Sequence, residues 1–167
     1  MINYDSKIYI AGHNGMVGSA CWRLLKAKGY KNIIGYSSKD LDLREHNRVF
    51  EIIKREKPNV IINAAARVGG ILANSQNPYE FLMDNMLIQN NLIKTAHELN
   101  IEKFIFLGSS CIYPKMAPQP LKEECLLTGP LEDTNQYYAI AKISGVKLIE
   151  ALRCQYNRDY VSLMPTN

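Results

Sequence analysis

Residues 11–20, "AGHNGMVGSA", follow a short apolar run and carry glycines at positions 12, 15 and 18. Glycines at this spacing let the backbone N–H groups of a tight turn approach a pyrophosphate, and the N-terminus of a following helix adds a favourable dipole. The alternative is a turn that only lets a helix pack closely on a strand. Because the stretch lies between a strand-like and a helix-like run, it predicts a dinucleotide site built from Gly12, Gly15 and Gly18, with His13 in reach of a phosphate.

Strand-like runs alternate with helical segments along the rest of the chain. The strand-like runs are "KIYIAG", "NIIGYS", "NVIINAAA", "KFIFLGSS" and "DYVSLMPTN". This alternation predicts an α/β fold, a Rossmann-like, doubly wound and mostly parallel sheet with helices on both faces. We expect about six strands in the order 3-2-1-4-5-6. We expect one domain over residues 1–167, in a fragment or truncated form without a C-terminal substrate domain.

Composition excludes several classes of protein. The chain has 167 residues, 47% of them hydrophobic, and a formal net charge of +4 with no basic run. We therefore expect no binding to nucleic acid. No segment has the apolar length of a signal peptide or a membrane span, so we expect a cytoplasmic protein that does not bind membranes. The four cysteines lack metal-ligand spacing, so we expect free thiols and no metal site.

The end of the second strand-like run bears on the choice of cofactor. Ser38 and Lys39 suit the 2′-phosphate of NADP, whereas an acid there would suit the ribose hydroxyls of NAD, and the first acid, Asp40, comes late. The sequence therefore favours NADP(H). Asp42 either contacts the adenine amino group or belongs to a solvated turn.

Small side chains end the third strand-like run. Ala64 and Ala65 would leave room for a nucleotide, although alanines are equally common in plain packing. The proline-rich stretch 111–133 lies between a strand-like and a helical run, and loops of this length in a compact domain are usually functional.

Tyr138 and Lys142 are four residues apart in a helical segment, so both project from one face. An ammonium near a phenol favours the phenolate, and we expect it to lower the pKa of Tyr138 and prepare the hydroxyl for proton transfer. A solvent-facing pair is the alternative.

These motifs together resemble the extended short-chain dehydrogenase/reductase superfamily. Ser109 stands four residues before Tyr113, and the Tyr138–Lys142 pair follows the glycine turn. "GSSCIYPK", "YYAIAKISG" and "SLMPTN" further resemble the GDP-L-fucose synthase family, NADPH-dependent epimerase/reductases of GDP-4-keto-6-deoxy-D-mannose. The similarity runs from about Lys7 to Asn167 and covers the N-terminal part of that family's length.

The resemblance implies catalytic roles for four residues. The cysteine that matches Cys111 removes the protons at C3 and C5, beside the C4 ketone. Ser109 and Tyr138 hydrogen-bond the C4 oxygen, Tyr138 supplies the proton during reduction, and Lys142 also holds the nicotinamide ribose. Without that context, Cys111 would be interpreted as an inert, buried small side chain.

The resemblance also implies further contacts. A GDP-linked sugar is the expected substrate, with Ser109, Ser110 and Asn167 beside it. A homodimer is expected through helices in segments 79–99 and 135–155. The family's histidine partner of the cysteine lies beyond residue 167, so this polypeptide alone should bind cofactor better than it turns over substrate. The remaining residues expected at the cofactor are Met16, Val17, Leu43, Leu107 and Pro165.

Three other interpretations stay open at this point. One is a nucleotide-sugar 4-epimerase that retains NAD and does not need Cys111. The second is a plain 4-reductase. The third is a dinucleotide-binding module without turnover.

Overall fold

The computed structural model describes residues 2–166. Strands and helices alternate in most of this range, as the sequence predicts. The strands are Ile8–Ala11 (β1), Ile33–Ile34 (β2), Val60–Asn63 (β3), Lys103–Leu107 (β4) and Asp159–Leu163 (β5). The helices are Met16–Ala27 (α1), His46–Glu56 (α2), Ile71–Gln76 (α3), Pro78–Glu98 (α4) and Gln136–Tyr156 (α5).

Local sequence explains several helix ends. Pro78 occupies the first turn of α4, where its missing N–H costs nothing and its fixed φ suits the helix. Lys57 and Asn157 follow α2 and α5 in the left-handed conformation, with φ of 47° and 52°. The short helix α3 was not predicted, because six residues carry too little periodicity.

All strand pairs are parallel, which confirms the predicted α/β class, but the predicted strand number and order are wrong. Within residues 2–166 the sheet has five strands in the order β2-β1-β3-β4-β5. After β2 the backbone turns, and the N–H groups of Asp40 and Leu41 donate to the Ser37 carbonyl at 3.0 and 2.9 Å. The third strand-like run, "NVIINAAA", forms β3 and pairs with β1, so it does not lie beside β2 as the predicted order requires.

Alternate strand residues face two hydrophobic clusters. Tyr9, Ile61 and Phe104 belong to the larger cluster, with residues of α2, α4 and α5. Ile8 and Ile10 belong to the smaller one, with Trp22 of α1. Helices therefore cover both faces of the sheet, and the carboxyl ends of the strands are left for a ligand.

Candidate functional site

The glycine turn connects β1 to α1 at the carboxyl end of the sheet. Gly12 has φ of 79°, and a Cβ there would lie 2.8 Å from Cα of Ala65. A Cβ on Gly18 would overlap the carbonyl oxygen of Gly12. Gly12 and Gly18 are therefore required by the turn and by the packing of α1 on it.

Gly15 has a different environment. Its φ is −76°, which any residue adopts, and a Cβ there would meet only the Gly12 oxygen, at 3.3 Å. Gly15 precedes α1, which begins without a side-chain cap, and Met16 and Val17 are exposed. An uncapped helix N-terminus beside a backbone without side chains fits a dinucleotide pyrophosphate.

His13 packs into the structure behind the turn. Its ring centroid lies 5.5 Å from that of Trp22, and a Cβ on Gly35 would lie 2.5 Å from its Cγ. The buried Nδ1 atom has no hydrogen-bond partner among residues 2–166.

The residues expected near the adenosine lie after β2. Ser38 and Lys39 are both exposed in the turn that follows. The hydroxyl of Ser37 donates to the Asp40 carboxylate at 2.5 Å. Asp42 pairs with Arg44 at 2.7 Å, and hydrogen bonds from Arg44 lower the pKa of its carboxyl. Asp42 is thus a paired anion in this structure, and Leu43 beside it packs on the core.

The loop after β3 lies against the glycine turn. The Ala64 N–H donates to the Ala11 carbonyl at 3.0 Å, and the Ala65 N–H donates to the Asn63 side chain at 3.2 Å. The structure thus brings Ala64 and Ala65 against the glycine turn, and their place beside a nucleotide stays a prediction.

Lys142 connects α5 to the carboxyl end of β4. Its side chain is buried, and Nζ donates to the Leu107 carbonyl at 2.8 Å. Nζ also lies 5.7 Å from the ring centroid of Tyr138, one turn earlier on the same helix. The buried Ser109 follows two residues after Leu107. Ser109, Tyr138 and Lys142 are therefore brought to one edge of the sheet.

Cys111 lies in a single 3-10 turn, Ser110–Ile112, directly after Ser109. The Cys111 N–H donates to the Ser109 hydroxyl at 3.5 Å. Burial raises the pKa of the Cys111 thiol, while hydrogen bonds to Ser109 and Asn135 and the charge of Lys142 act in the opposite direction. The half-buried thiol therefore lies among polar groups of the site and not in the hydrocarbon core.

The pKa values of Tyr138 and Lys142, both on α5, correct one prediction. Burial raises the pKa of Tyr138 to about 12, and the charge of a Cys111 thiolate acts in the same direction. Burial lowers the pKa of Lys142 to about 8. The expectation of a lowered Tyr138 pKa is wrong for this structure, because burial disfavours the charged phenolate.

The loop before α5 completes this edge. The Lys115 N–H donates to the Pro130 carbonyl at 2.9 Å, and Lys115 Nζ pairs with Glu132 at 2.8 Å. These contacts close the proline-rich loop at its base and bring Asn135 beside Cys111.

Ser109 and Tyr138 line a cleft of about 680 Å³. The sequence reasoning missed the other residues that line this cleft: Val68, Gly69, Gly70 and Ile71 on one segment, Glu132, Thr134 and Asn135 on another, and Asn74 and Phe81 on α3 and α4. They belong to no compact motif. The one signal in the sequence was position, because the first segment closely follows a strand-like run and the second directly precedes α5.

The segment after β5 runs beside the 3-10 turn. The Ser110 N–H donates to the Pro165 carbonyl at 3.3 Å. Pro165 therefore reaches the site, while Asn167, expected at the substrate, lies outside the described residues.

Residues 2–166 contain no cluster of three or more His, Cys, Asp or Glu side chains able to hold a metal ion. None of their helices is both long and apolar enough to cross a bilayer.

The parallel sheet and the glycine turn at its carboxyl edge define a Rossmann-like dinucleotide-binding protein. The chain matches the NAD dependent epimerase/dehydratase family over residues 8–167, and it belongs to that family.

Two named relatives and one solved structure show which members of the family this chain resembles. The chain is 50% identical over 161 residues to the GDP-L-fucose synthase of Sinorhizobium fredii, covering 96% of this chain and 51% of the relative. It is 48% identical over 167 residues to GDP-L-fucose synthase 1 of Arabidopsis thaliana, covering 100% and 52%. The solved GDP-mannoheptose C4 reductase from Campylobacter jejuni, with NADP bound, has a TM-score of 0.97 and 35% identity, covering 100% of this chain and 53% of that one. The chain thus spans about half the length of the relatives it matches.

Gly15 and Gly18, which differ in the space around them, give a matched test of whether the turn binds a dinucleotide. We expect Gly15→Ala to change the free energy of unfolding by less than about 1 kcal/mol, because its φ is ordinary. The new methyl would hold a pyrophosphate away from the backbone, so the Kd for NADPH should rise about tenfold or more.

Gly18→Ala is the matched structural control. It should destabilise the protein by about 2 kcal/mol or more, because its Cβ overlaps the Gly12 carbonyl. Urea unfolding and fluorescence titration with NADPH and NADH measure both variants. Unchanged NADPH affinity in Gly15→Ala would contradict the assignment of the turn.

Proposed function

We propose that the protein carrying this chain is an NADPH-dependent epimerase/reductase of GDP-4-keto-6-deoxy-D-mannose. It epimerises C3 and C5 and then reduces the C4 ketone, which gives GDP-L-fucose. Residues 1–167 are its NADP-binding domain. The observation that carries the proposal is the meeting of the Cys111 thiol with Ser109, Tyr138 and Lys142 at the carboxyl end of β4.

Cys111 is the base of the epimerisation. A thiol removes the proton beside a ketone only as the thiolate, and burial alone disfavours that form. The pKa of the Cys111 thiol stays above its ordinary value because burial is the largest effect, and the hydrogen bonds to Ser109 and Asn135 and the charge of Lys142 oppose only part of it. Once Cys111 has taken the substrate proton, the one Ser109 hydroxyl proton would turn from the sulfur to the C4 oxygen, where negative charge develops.

Tyr138 is the acid of the reduction. Its raised pKa, about 12, keeps the phenol protonated at neutral pH, which is the form that can give a proton to the C4 oxygen. NADPH supplies the hydride that C4 receives. Lys142 joins α5 to the end of β4 through its bond to the Leu107 carbonyl, and it would hold the nicotinamide ribose of the bound cofactor.

The residues after β2 support NADPH over NADH. Lys39 is exposed beside Ser38, and neither nearby acid is a bare charge, because Asp40 bonds to Ser37 and Asp42 pairs with Arg44. A 2′-phosphate near Lys39 therefore meets a cation and paired carboxylates. The NADP bound in the Campylobacter jejuni reductase agrees with this choice.

A C4 reductase without epimerase activity is the second candidate. The close likeness to the GDP-mannoheptose C4 reductase favours it. The two candidates differ in whether Cys111 exchanges substrate protons.

Cys111→Ser separates the candidates. A serine hydroxyl is a far weaker acid than a thiol, so epimerisation should slow by about 10²-fold or more. In heavy water, the full-length wild-type protein with GDP-4-keto-6-deoxymannose and NADPH should place deuterium at C3 and C5, and the variant should not. Mass spectrometry and proton NMR of the product report the label.

Cys125→Ser is the matched control, because Cys125 is also a half-buried thiol but lies in the proline-rich loop. It should exchange as the wild type does. Consumption of NADPH by the wild type without label at either carbon would leave only the C4 reductase.

We also propose that the protein is a homodimer through α4 and α5. Tyr79, Met83 and Leu87 recur every four residues on α4 and are exposed, as are Tyr137 and Ile140 on α5. Because they are exposed, packing on the sheet does not account for them, and a second copy of the same helix pair would cover them.

Met83→Glu with Leu87→Glu should convert the dimer to a monomer, because the charges would be buried in the interface. Light scattering after gel filtration measures the mass. Leu24→Glu is the control, since Leu24 is exposed on α1, on the other face of the sheet. A monomeric wild type, or a dimer that survives the double substitution, would contradict this interface.

A further inference from the structure

The segment 68–71 lines the cleft beside Ser109 and Tyr138, and the sequence reasoning gave it no role. It supplies the exposed apolar side chains of Val68 and Ile71, each 72% accessible, with two glycines between them. A glycine pair in a cleft can serve the fold or can leave space for a ligand. The surroundings of each glycine distinguish these uses.

Neighbouring elements hold this segment in place. The Arg67 N–H donates to the Asn85 side chain at 2.9 Å, and Asn85 Nδ2 donates back to the Arg67 carbonyl at 3.0 Å. Asn74 Nδ2 donates to the carbonyls of Gly69 and Gly70 at 2.9 and 3.1 Å. Side chains of α3 and α4 thus hold the backbone of the segment in place. The size of the side chain at each of its positions therefore determines the shape of the cleft.

Gly69 is required by packing. A Cβ there would lie 2.9 Å from Cβ of Ala73 and 2.9 Å from Cζ of Phe81. Any side chain at this position would displace α3 or the Phe81 ring.

Gly70 is not required by the fold. Its φ of −70° and ψ of 178° suit any residue, and a Cβ built there meets no atom within 4 Å. It is also the N-cap of α3, a position where serine is among the preferred residues. The open space beside Gly70 therefore belongs to the cleft and not to a packing contact.

We propose that Gly70 is a specificity-determining residue, at which the pyranose of the GDP-linked sugar packs directly on the backbone. This inference rests on the proposed function, because it concerns the sugar of that same site. The absent side chain leaves room for the ring and its substituents between Val68 and Ile71, while Ser109 and Tyr138 contact the ketone oxygen. The residues proposed above for the pyrophosphate, in the glycine turn between β1 and α1, do not include Gly70.

Gly70→Ser tests the proposal. Serine adds bulk to the cleft yet is a good N-cap, so the melting temperature should stay the same or rise, and the Kd for NADPH should not change. The KM for GDP-4-keto-6-deoxymannose should increase about tenfold in the full-length protein, with a smaller change in kcat. A variant that folds and keeps the wild-type KM overturns the proposal.

Gly69→Ala is the matched control. It should lower the melting temperature, because its methyl collides with Ala73 and Phe81. This result would distinguish a glycine that the fold requires from one that the ligand requires.

Binding separates this inference from the proposed function. If the wild type does not turn over GDP-4-keto-6-deoxymannose, the proposed reaction fails, and calorimetric titration with GDP-mannose then decides the role of Gly70. Weaker binding of GDP-mannose to Gly70→Ser than to the wild type supports the proposal. Equal affinity, or no binding to the wild type, overturns it.

Discussion

The hydrogen bond from Lys142 Nζ to the Leu107 carbonyl joins the two elements on which the candidate site depends. Lys142 and Tyr138 belong to α5, whereas Leu107 ends β4 and leads to Ser109 and Cys111. Lys142 is 3% accessible, and its ammonium lies 4.9 Å from the centroid of the Phe106 ring. A buried cation must satisfy its donors, so the lysine fixes how far α5 stands from the end of the strand.

Helix α4 connects α5 and β4 to the other segments of the candidate site through side-chain hydrogen bonds. Gln89 Nε2 donates to the Ala141 carbonyl of α5 at 2.6 Å. Four residues earlier on α4, Asn85 bonds both backbone groups of Arg67. Helix α4 therefore positions α5 and the segment 68–71 relative to each other. The opposite side of α4 exposes the apolar side chains of Tyr79, Met83 and Leu87 to solvent. Proton transfer at a ketone requires such fixed placement, because donors must already be aligned when charge develops.

Much of this architecture could be predicted from local sequence. The glycine turn and the four long helices have short-range signals, which are spacing, periodicity and caps, and the structure confirms them. The predicted strand order was wrong because periodicity along the chain does not determine which strands pair, and β3 lies beside β1. The predicted direction of the Tyr138 pKa was wrong because sequence spacing gives the neighbour but not the burial. Gly70 and Asn135 could not be found, since their proximity to Ser109 and Cys111 depends on contacts between distant segments.

The protonation of Lys142 is the most direct measure of the arrangement at the end of β4. NMR titration of the protein with lysine labelled at Cε would follow this one side chain, assigned through Lys142→Arg. The account predicts a pKa near 8, because burial of the ammonium disfavours its charged form. A pKa at the ordinary lysine value of 10.5 would mean that the ammonium is solvated and does not join α5 to β4.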